Sequence, residues 1–410
     1  LEKLLERHLR GVPEVRRVEV DSANRVVRTV EVTQPARPGH DVHLTIDLDR
    51  QRLAEDSLTA ELDRLGEPAG QPPAGSMVVI DPRDGSVPAL VSRPGFDPTV
   101  FVAGLGSEEA ERLFADPGDP FLNRAIGGLY PAASTFKPVT AYTSLIDGLR
   151  RPRDIWDDRG SYQLASCAGS GEAGCRFRNA RGAVLGPVDL PEALALSSDT
   201  YFYSLGERLW LDRSRLGDDA LQRRARELGL GSPTGIELPG ESAGRLPTPA
   251  ARRADHDRAP AAFPDPRWYT GDNVNLAIGQ GELLVTPVQL ANLYATLSTG
   301  GIRHQPRLVD RVVDATSGEV VVDFGTRTVA TTLLEAAALR PIVDGLRGAA
   351  SRGTAAEAFA GFPLDTFPRA IKTGTAEVRG KRDFAVVAGF APLPESRYAF
   401  SVVIEEGGFG

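Results

Sequence analysis

The run AIKTGTAEVRGKRDFAVVAGFAPLPESRYAFSVVIEE, residues 370–406, carries the main fold prediction, because three strand-like segments follow one another in it. Short turn segments, Arg379-Gly380-Lys381 and Pro392 to Ser396, separate these apolar and β-branched stretches. Consecutive strands with short connections are usually antiparallel neighbours. The run therefore predicts three adjacent strands of one antiparallel sheet.

Working outward, residues 42–92 add further pieces of the same architecture. VHLTIDLD (42–49) predicts a strand, 50–65 has the apolar spacing of a helix, and a Pro/Gly linker follows. SMVVIDPRDGSVPALVS (76–92) predicts a hairpin that turns at Asp84-Gly85. The segment from about 121 to 346 is mainly helical in pattern, at 134–149, 190–209, 220–228, 287–297 and 332–346. Together they predict an α+β domain whose early and late strands share one sheet.

The first 41 residues have a different pattern. They alternate in the manner of strands, with a hairpin around Ser22-Ala23-Asn24, until Pro35 to Gly39 interrupt the alternation. This predicts a small, separate β-rich stub. Because the chain begins at Leu1 and stops just after the apolar run 398–404, we expect a fragment of a longer protein.

Composition narrows the function classes. The chain has 410 residues, 41% of them hydrophobic, a net charge of −8 and no basic stripe, so nucleic acid is not an expected partner. No stretch approaches the roughly 18 apolar residues of a membrane span. Cys167 and Cys175 have no nearby histidine, so neither a metal site nor any other cofactor is expected. A local disulfide and two free thiols both remain open for this pair.

Lysine is scarce, and its positions are informative. Only Lys3, Lys137, Lys372 and Lys381 are lysines among 47 basic residues. Arginine fills most sites that need only a positive charge, and it does not lose its proton in proteins. A retained lysine therefore points to a site where the amine must become neutral.

Ser134-Thr135-Phe136-Lys137 precedes an apolar helical pattern and forms the first candidate site. A step of three residues places Ser134 and Lys137 on one helix face, where a neutral amine can take the hydroxyl proton. The alternative is a helix-starting serine beside a lysine whose stem lies on apolar surface.

Two further constellations follow. Ser197-Ser198-Asp199 begins a helical pattern, where serine and aspartate are common helix caps. In a functional interpretation, Ser197 is a proton shuttle, and Asp199 either holds a lysine or accepts a hydrogen bond from a substrate N–H. Lys372-Thr373-Gly374-Thr375 lies in a strand-like run. Gly374 is unfavourable there unless another backbone approaches closely, as a substrate peptide added along the edge would; a surface turn is the alternative.

STFK, SSD and KTG occur in the order of the SxxK, SDN-like and KTG motifs, and the chain resembles penicillin-binding proteins and serine β-lactamases in this respect. Between the motifs it resembles class B penicillin-binding proteins at 75–98, 235–249 and 268–301, and the likeness covers about residues 43–404. SSDTYFY and WYTGDNVNLAIGQG are most similar to the elongation-type members, penicillin-binding protein 2.

The resemblance implies a fold and a division of the chain. Members have a five-stranded antiparallel sheet flanked by helices, plus an all-helical lobe, with the active site between them. Residues 1–42 are then the remnant of an N-terminal pedestal or dimerisation-like domain. Residues 43–410 are the transpeptidase domain, without the C-terminal helix that members carry.

The resemblance also implies roles for single residues. Ser134 becomes the acylated nucleophile, Lys137 its base, Ser197 the proton shuttle and Lys372 the electrostatic partner. Asp199, Thr373, Gly374 and Thr375 form the substrate site, and the N–H groups of Ser134 and Thr375 form the oxyanion hole. Asp199 departs from the usual asparagine, which leaves its role open.

The implied activity is peptidoglycan D,D-transpeptidation through a serine acyl-enzyme that β-lactams block. The alternatives are a serine β-lactamase and a non-catalytic penicillin-binding sensor or scaffold. Implied partners are stem peptides, β-lactam antibiotics and a multi-pass membrane glycan polymerase of the elongation or division machinery. The implied location is the extracytoplasmic face of the bacterial cell membrane, with an N-terminal anchor outside this sequence.

Overall fold

The computed structural model describes residues 1–66, 73–102, 104–167 and 175–410. Most of the Pro/Gly linker predicted after residue 65, and the Gly-rich stretch between the two cysteines, lie outside the described residues. Across the described ranges, no helix has both the length and the apolar composition that a membrane span requires.

Helices and strands alternate irregularly along the described chain. The helices are α1 (Glu2–Leu9), α2 (Leu48–Leu65), α3 (Thr99–Val102), α4 (Ser107–Phe114), α5 (Lys137–Ile146), α6 (Leu190–Ala195), α7 (Asp199–Leu211), α8 (Arg213–Leu216), α9 (Ala220–Glu227), α10 (Pro249–Arg258), α11 (Thr270–Ala277), α12 (Pro287–Ser298) and α13 (Ala336–Ser351). The strands are β1 (Val15–Val20), β2 (Val26–Gln34), β3 (Asp41–Leu44), β4 (Gly75–Ile80), β5 (Ala89–Arg93), β6 (Trp156–Asp158), β7 (Ser161–Gln163), β8 (Arg176–Arg178), β9 (Gly186–Val188), β10 (Ile302–His304), β11 (Val309–Val313), β12 (Val320–Asp323), β13 (Thr328–Thr331), β14 (Ala370–Ala376), β15 (Phe384–Ala391) and β16 (Tyr398–Ile404).

Five strands form the main sheet in the order β14-β15-β16-β4-β5, and every neighbouring pair is antiparallel. Successive residues of a strand face opposite sides, so Val78 and Ile80 join the core beneath α12, whereas Met77 and Val79 pack with α2. The early hairpin and the late strands thus share one sheet covered on both faces. The predicted five-stranded antiparallel sheet is confirmed.

The helical lobe packs against the face of the sheet that α12 covers. Eleven of the twelve α12 residues are buried, and Thr286 and Gln289 close its N-terminus in a reciprocal capping box. One continuous core joins this helix to α5, α7 and the sheet. The lobe also carries the two-stranded ribbons β6–β9 and β7–β8, which the sequence analysis did not predict.

Two local predictions for the first 50 residues were wrong. Residues Glu2–Leu9 form a helix and not part of an alternating strand, although the predicted β1–β2 hairpin after it is present. The strand predicted at 42–49 ends at Leu44, because Asp47 accepts a hydrogen bond from the Arg50 N–H and caps α2. This short strand pairs with β11, outside the main sheet.

Candidate active site

Ser134 lies in a 3₁₀ turn, Ala133–Phe136, that leads directly into α5. Ala133 before it adopts a φ of +49°, in the left-handed region that residues with a Cβ rarely occupy. The Ala133 N–H donates to the Gly279 carbonyl at 2.8 Å, and the Tyr294 hydroxyl donates to the Thr135 carbonyl at 2.9 Å. These contacts fix the turn and leave Ser134 half-buried on the wall of a groove.

Lys137 is fully buried one helical turn after Ser134. Its Nζ donates to the Ser197 carbonyl at 2.8 Å, to Ser197 Oγ at 3.1 Å and to Asp199 Oδ1 at 2.6 Å. Burial lowers the pKa of Lys137, and the Asp199 carboxylate partly opposes that effect. The amine is therefore closer to losing its proton than an exposed lysine is.

Lys372, on the edge strand β14, is the second fully buried lysine. Its Nζ donates to Ser197 Oγ at 2.8 Å and to the Thr373 carbonyl at 2.9 Å. Burial holds the pKa of Lys372 well below its usual value, and the positive charge of Lys137 lowers it further. Two of the four lysines of the chain thus meet at one hydroxyl.

Ser197 occupies the break between α6 and α7 and adopts a φ of +58°. Its Oγ accepts hydrogen bonds from both lysine nitrogens, and while both donate, its own O–H proton points to a third partner. Because Ser197 and Ser134 line the same groove, that proton is available on the groove side. Left-handed backbone at a non-glycine residue is often found at functional sites.

The helix predicted across 190–209 is interrupted here, because side chains from elsewhere cap the start of α7. Ser198 accepts a hydrogen bond from the Tyr201 N–H at 3.1 Å and is the helix cap. Asn179 Oδ1 accepts from the N–H groups of Asp199 and Thr200 at 2.9 and 3.0 Å. The two serines of the motif therefore have different roles. Ser198 caps α7, and Ser197 lines the groove.

Asp199 lines the groove and holds Lys137. Its Oδ1 accepts from Lys137, and its Oδ2 accepts from the Ala180 N–H at 3.1 Å. The residue is only 8% exposed. Of the two alternatives left open for this acid, the geometry favours the ion pair with Lys137.

The sequence analysis missed Asp158 and Asn179, which support the break from behind. Asp158 is fully buried and accepts hydrogen bonds from Asn179 Nδ2, from the Ser198 hydroxyl and from the Gly160 N–H. Asn179 lies 20 residues before Asp199, and Asp158 lies 40 residues before Ser198. Neither separation belongs to a recognisable sequence motif. Only the tertiary structure brings them to α7.

Gly374 lies where β14 crosses the turn that carries Ser134. A Cβ at this position would be 3.2 Å from Ala133 Cβ and 3.3 Å from the Ser134 backbone nitrogen. The close neighbour of Gly374 is therefore the nucleophile turn of the same chain. The contact sets the N–H of Ser134 beside β14, whose residue Thr375 also lines the groove.

The two threonines of β14 have different surroundings. The Thr373 hydroxyl lies 2.7 Å from the hydroxyl of Thr354, a groove residue that the sequence analysis missed. The Thr375 hydroxyl accepts a hydrogen bond from the Gly410 N–H at 3.1 Å, and the Thr375 backbone carbonyl accepts one from Gln280 Nε2 at 3.3 Å. Both hydroxyls border a groove of about 1390 Å³.

The remaining predicted residues are the cysteines. Cys167 and Cys175 form a disulfide that joins the ends of the loop between β7 and β8. The described residues contain no group of three or more His, Cys, Asp or Glu side chains that could hold a metal ion.

Comparison with known families gives two matches on this chain. Residues 75–410 match the family described as penicillin binding protein transpeptidase domain. Residues 1–44 match the family described as penicillin-binding protein dimerisation domain. The first match includes every residue of the groove described above.

Individual relatives agree with these matches. The peptidoglycan D,D-transpeptidase MrdA of Escherichia coli K12 is 32% identical over 427 residues, which cover 100% of this chain and 61% of MrdA. The chain therefore spans 61% of the length of that curated relative.

Two solved structures are also similar. Pseudomonas aeruginosa PBP2 in complex with WCK 5153 is 31% identical, with a TM-score of 0.74 over 92% of this chain and 73% of that one. A chain from a structure described as "Structural coordination of polymerization and crosslinking by a peptidoglycan synthase complex" is 36% identical, with a TM-score of 0.79 over 100% of this chain and 67% of that one.

Proposed function

The chain belongs to the penicillin-binding protein transpeptidase family, and on that premise we propose that the protein is a peptidoglycan D,D-transpeptidase. Its reaction joins the stem peptides of bacterial cell wall through an acyl-enzyme on Ser134, and β-lactams trap the first half of that reaction. The name and identity of the Escherichia coli relative support this proposal. The prediction that the chain is most like penicillin-binding protein 2 is confirmed by its relatives.

One observation carries the proposal: Ser197 Oγ lies within 3.1 Å of one buried lysine nitrogen and 2.8 Å of another, on the groove wall that also exposes Ser134. A serine hydroxyl is a weak nucleophile until a base takes its proton. A lysine becomes such a base when burial lowers its pKa, as it does for both Lys137 and Lys372. The cluster therefore combines a nucleophile, a base and a hydroxyl for proton transfer.

The first half of the proposed reaction forms the acyl-enzyme. Lys137 takes the proton of Ser134 as Ser134 Oγ attacks the carbonyl between the two terminal D-alanines of the donor. The N–H groups of Ser134 and Thr375 stabilise the negative charge on the tetrahedral oxygen. The carbon–nitrogen bond then breaks, and the leaving D-alanine amine receives a proton through the Ser197 hydroxyl.

The second half releases the cross-linked product. The amine of a second stem peptide attacks the Ser134 ester and loses one proton to the Ser197 and Lys137 pair. The ester bond breaks, and Ser134 Oγ recovers a proton, so the enzyme returns to its starting state.

The substrate is proposed to bind along β14. Lys372 supplies positive charge, the hydroxyls of Thr373 and Thr375 hold the donor carboxylate, and Gly374 allows the strand to lie close to the nucleophile. β14 is an edge strand of the main sheet, which leaves one side of its backbone for an added peptide strand. Asp199 is proposed to position Lys137, since its Oδ1 accepts from Lys137 and its Oδ2 is fixed by the Ala180 N–H.

For the chain as a whole, we propose that residues 1–42 are a remnant of a pedestal or dimerisation domain and that 43–410 form the transpeptidase domain. The dimerisation match at 1–44 supports the first part. A multi-pass glycan polymerase of the elongation or division machinery is the proposed partner. The peptidoglycan synthase complex that contains a 36% identical chain supports such a partner. The proposed site of action is the outer face of the bacterial cell membrane, with an anchor beyond these residues.

Labelling with a fluorescent penicillin, followed by peptide mass mapping, tests the proposed activity. A transpeptidase of this kind forms a long-lived adduct on Ser134, and the Ser134→Ala variant stays unlabelled. Rapid release of hydrolysed penicillin would instead indicate a β-lactamase. No labelling of a folded wild-type protein would indicate a non-catalytic scaffold.

A further inference from the structure

The groove is positively charged although the chain as a whole is acidic. Five arginines and three acids line it, and one of those acids, Asp199, is already paired with Lys137. The chain carries a net charge of −8. A local excess of arginine in an acidic protein indicates an anionic ligand.

None of these five arginines has a carboxylate partner among the described residues, and Arg176 donates instead to Ser161 Oγ. Arg178, Arg181, Arg379 and Arg382 form no ion pair within 4.0 Å among the residues the structure describes, and Arg181 only stacks on the Phe409 ring. Some other exposed arginines pair with an acid close in sequence, as Arg64 does with Glu61. Arg382 has Asp383 beside it and still makes no such pair. These guanidinium groups are therefore free to bind a carboxylate from outside the chain.

The four arginines come from two parts of the chain that meet at the groove. Arg178 and Arg181 flank the Asn179–Ala180 segment that contacts the start of α7, and Arg379 and Arg382 lie in the turn between β14 and β15. All four line the same groove as Ser134.

Strand geometry gives the position of the bound group. In the proposed function, the Thr373 and Thr375 hydroxyls hold the donor carboxylate, and the attacked carbonyl lies at the Thr375 N–H. The donor residues that precede the attacked bond therefore lie beyond Thr375, towards the C-terminal end of β14. Strand residues rise by about 3.3 Å each, so the stem residues about two to four positions before the attacked bond lie beside the β14–β15 turn. That turn carries Arg379 and Arg382.

We propose that these four arginines bind a second carboxylate of the donor stem peptide, located a few residues before the attacked bond. The site selects donors whose internal carboxyl is free over donors in which it is an amide. Guanidinium pairs with a carboxylate through charged hydrogen bonds that a neutral amide does not reproduce. The inference rests on the proposed function, because the direction of the donor along β14 is taken from it.

The test compares two thioester donor peptides that differ only in an internal carboxylate or carboxamide. Wild-type protein should acylate about tenfold faster with the acid, a ratio consistent with two exposed ion pairs, and the ratio should fall as salt rises. Arg379→Gln/Arg382→Gln and Arg178→Gln/Arg181→Gln should each lower the ratio. Because the readout is a ratio, a general change in reactivity cancels.

Arg52→Gln is the matched control, because Arg52 is an exposed arginine on α2 outside the groove, and it should keep the wild-type ratio. Equal rates with acid and amide in wild-type protein, or the same ratio in every variant, would overturn this inference alone. If neither donor nor labelled penicillin acylates Ser134, the proposed function fails and the inference fails with it.

Discussion

Two of the sites at which the described residues bury positive charge differ in how that charge is balanced. Arg124 donates to Glu405 at 2.8 Å and to the carbonyls of Asp119 and Gly118 at 3.1 and 2.6 Å, so one cation meets one anion. Around Ser197, Asp199 contacts Lys137 directly and Asp158 acts on Lys137 from farther away, whereas Lys372 contacts no carboxylate among the described residues. Arg124 stays protonated in a protein, whereas burial lowers the pKa of Lys137 and Lys372 and so favours loss of their protons.

The comparison separates a structural ion pair from a chemical one. In the buried pair of Arg124 and Glu405, the two opposite charges balance when both groups are ionised. Glu405 also accepts a hydrogen bond from the Tyr130 hydroxyl at 2.8 Å. A buried lysine that contacts no carboxylate, as Lys372 does, is unfavourable for stability, so its retention indicates a function for the neutral amine. The scarcity of lysine in the sequence agrees with this conclusion.

The largest expected effect is on the rate of acylation in Lys137→Gln. Glutamine keeps a polar side chain in the same position but cannot accept the Ser134 proton, so acylation by penicillin should slow by about a thousandfold. Stopped-flow or gel-based labelling measures this rate, and thermal unfolding checks the fold. Lys3→Gln, on the exposed face of α1, is the control. A rate within a few-fold of wild type would contradict the assignment of Lys137 as the base.

Arg124→Gln should give the opposite result. Removal of the guanidinium leaves Glu405 without its charged partner, and the free energy of unfolding should fall by about 3 kcal/mol. Denaturant titration measures this change. The acylation rate of the remaining folded protein should stay near that of wild type. If Arg124→Gln kept its stability but lost acylation, the contrast between a structural role for Arg124 and a chemical role for Lys137 would be wrong.

A smaller effect is expected on the pH dependence of acylation in Asp199→Asn. A protonated lysine is not a base, so acylation should rise with pH as the amine loses its proton. Asp199 raises the pKa of Lys137, and the neutral amide should lower that pKa, which moves the rising part of the profile to lower pH.

Glu377→Gln provides the control for this shift, since Glu377 lines the groove but contacts neither lysine, and its profile should match that of wild type. An unchanged profile in Asp199→Asn, or a shift to higher pH, would show that Asp199 does not set the charge state of Lys137.

The parts of the fold and of the candidate site that could be predicted from the sequence depend on patterns within one short segment or on a rare residue type. The late strands were predicted because their apolar patterns and short turns are continuous in sequence, and they do pair as antiparallel neighbours. The meeting of Lys137 and Lys372 at Ser197 agrees with the roles that the family resemblance implied, and the scarcity of lysine had indicated only that such amines must become neutral.

The remaining features depend on contacts between distant segments. The residues that follow the left-handed Ser197 are held by Asp158 and Asn179, which no spacing in the sequence connects to them. Periodicity across 190–209 therefore predicted a continuous helix, because the Asn179 side chain that binds the first N–H groups of α7 comes from another part of the chain. Gly374 indicated a close backbone approach, but only the fold shows that the neighbour is the Ser134 turn.

The most direct test of the account is whether the side chains that meet at Ser197 act as one unit. Acylation rates would be measured for Lys137→Gln, Ser197→Ala and the double variant. We predict that the double variant reacts about as slowly as the slower single variant, because removal of either group already disables the shared proton transfer. Multiplicative losses in folded proteins, like those expected when Lys137→Gln is combined with the distant Arg124→Gln, would contradict the account.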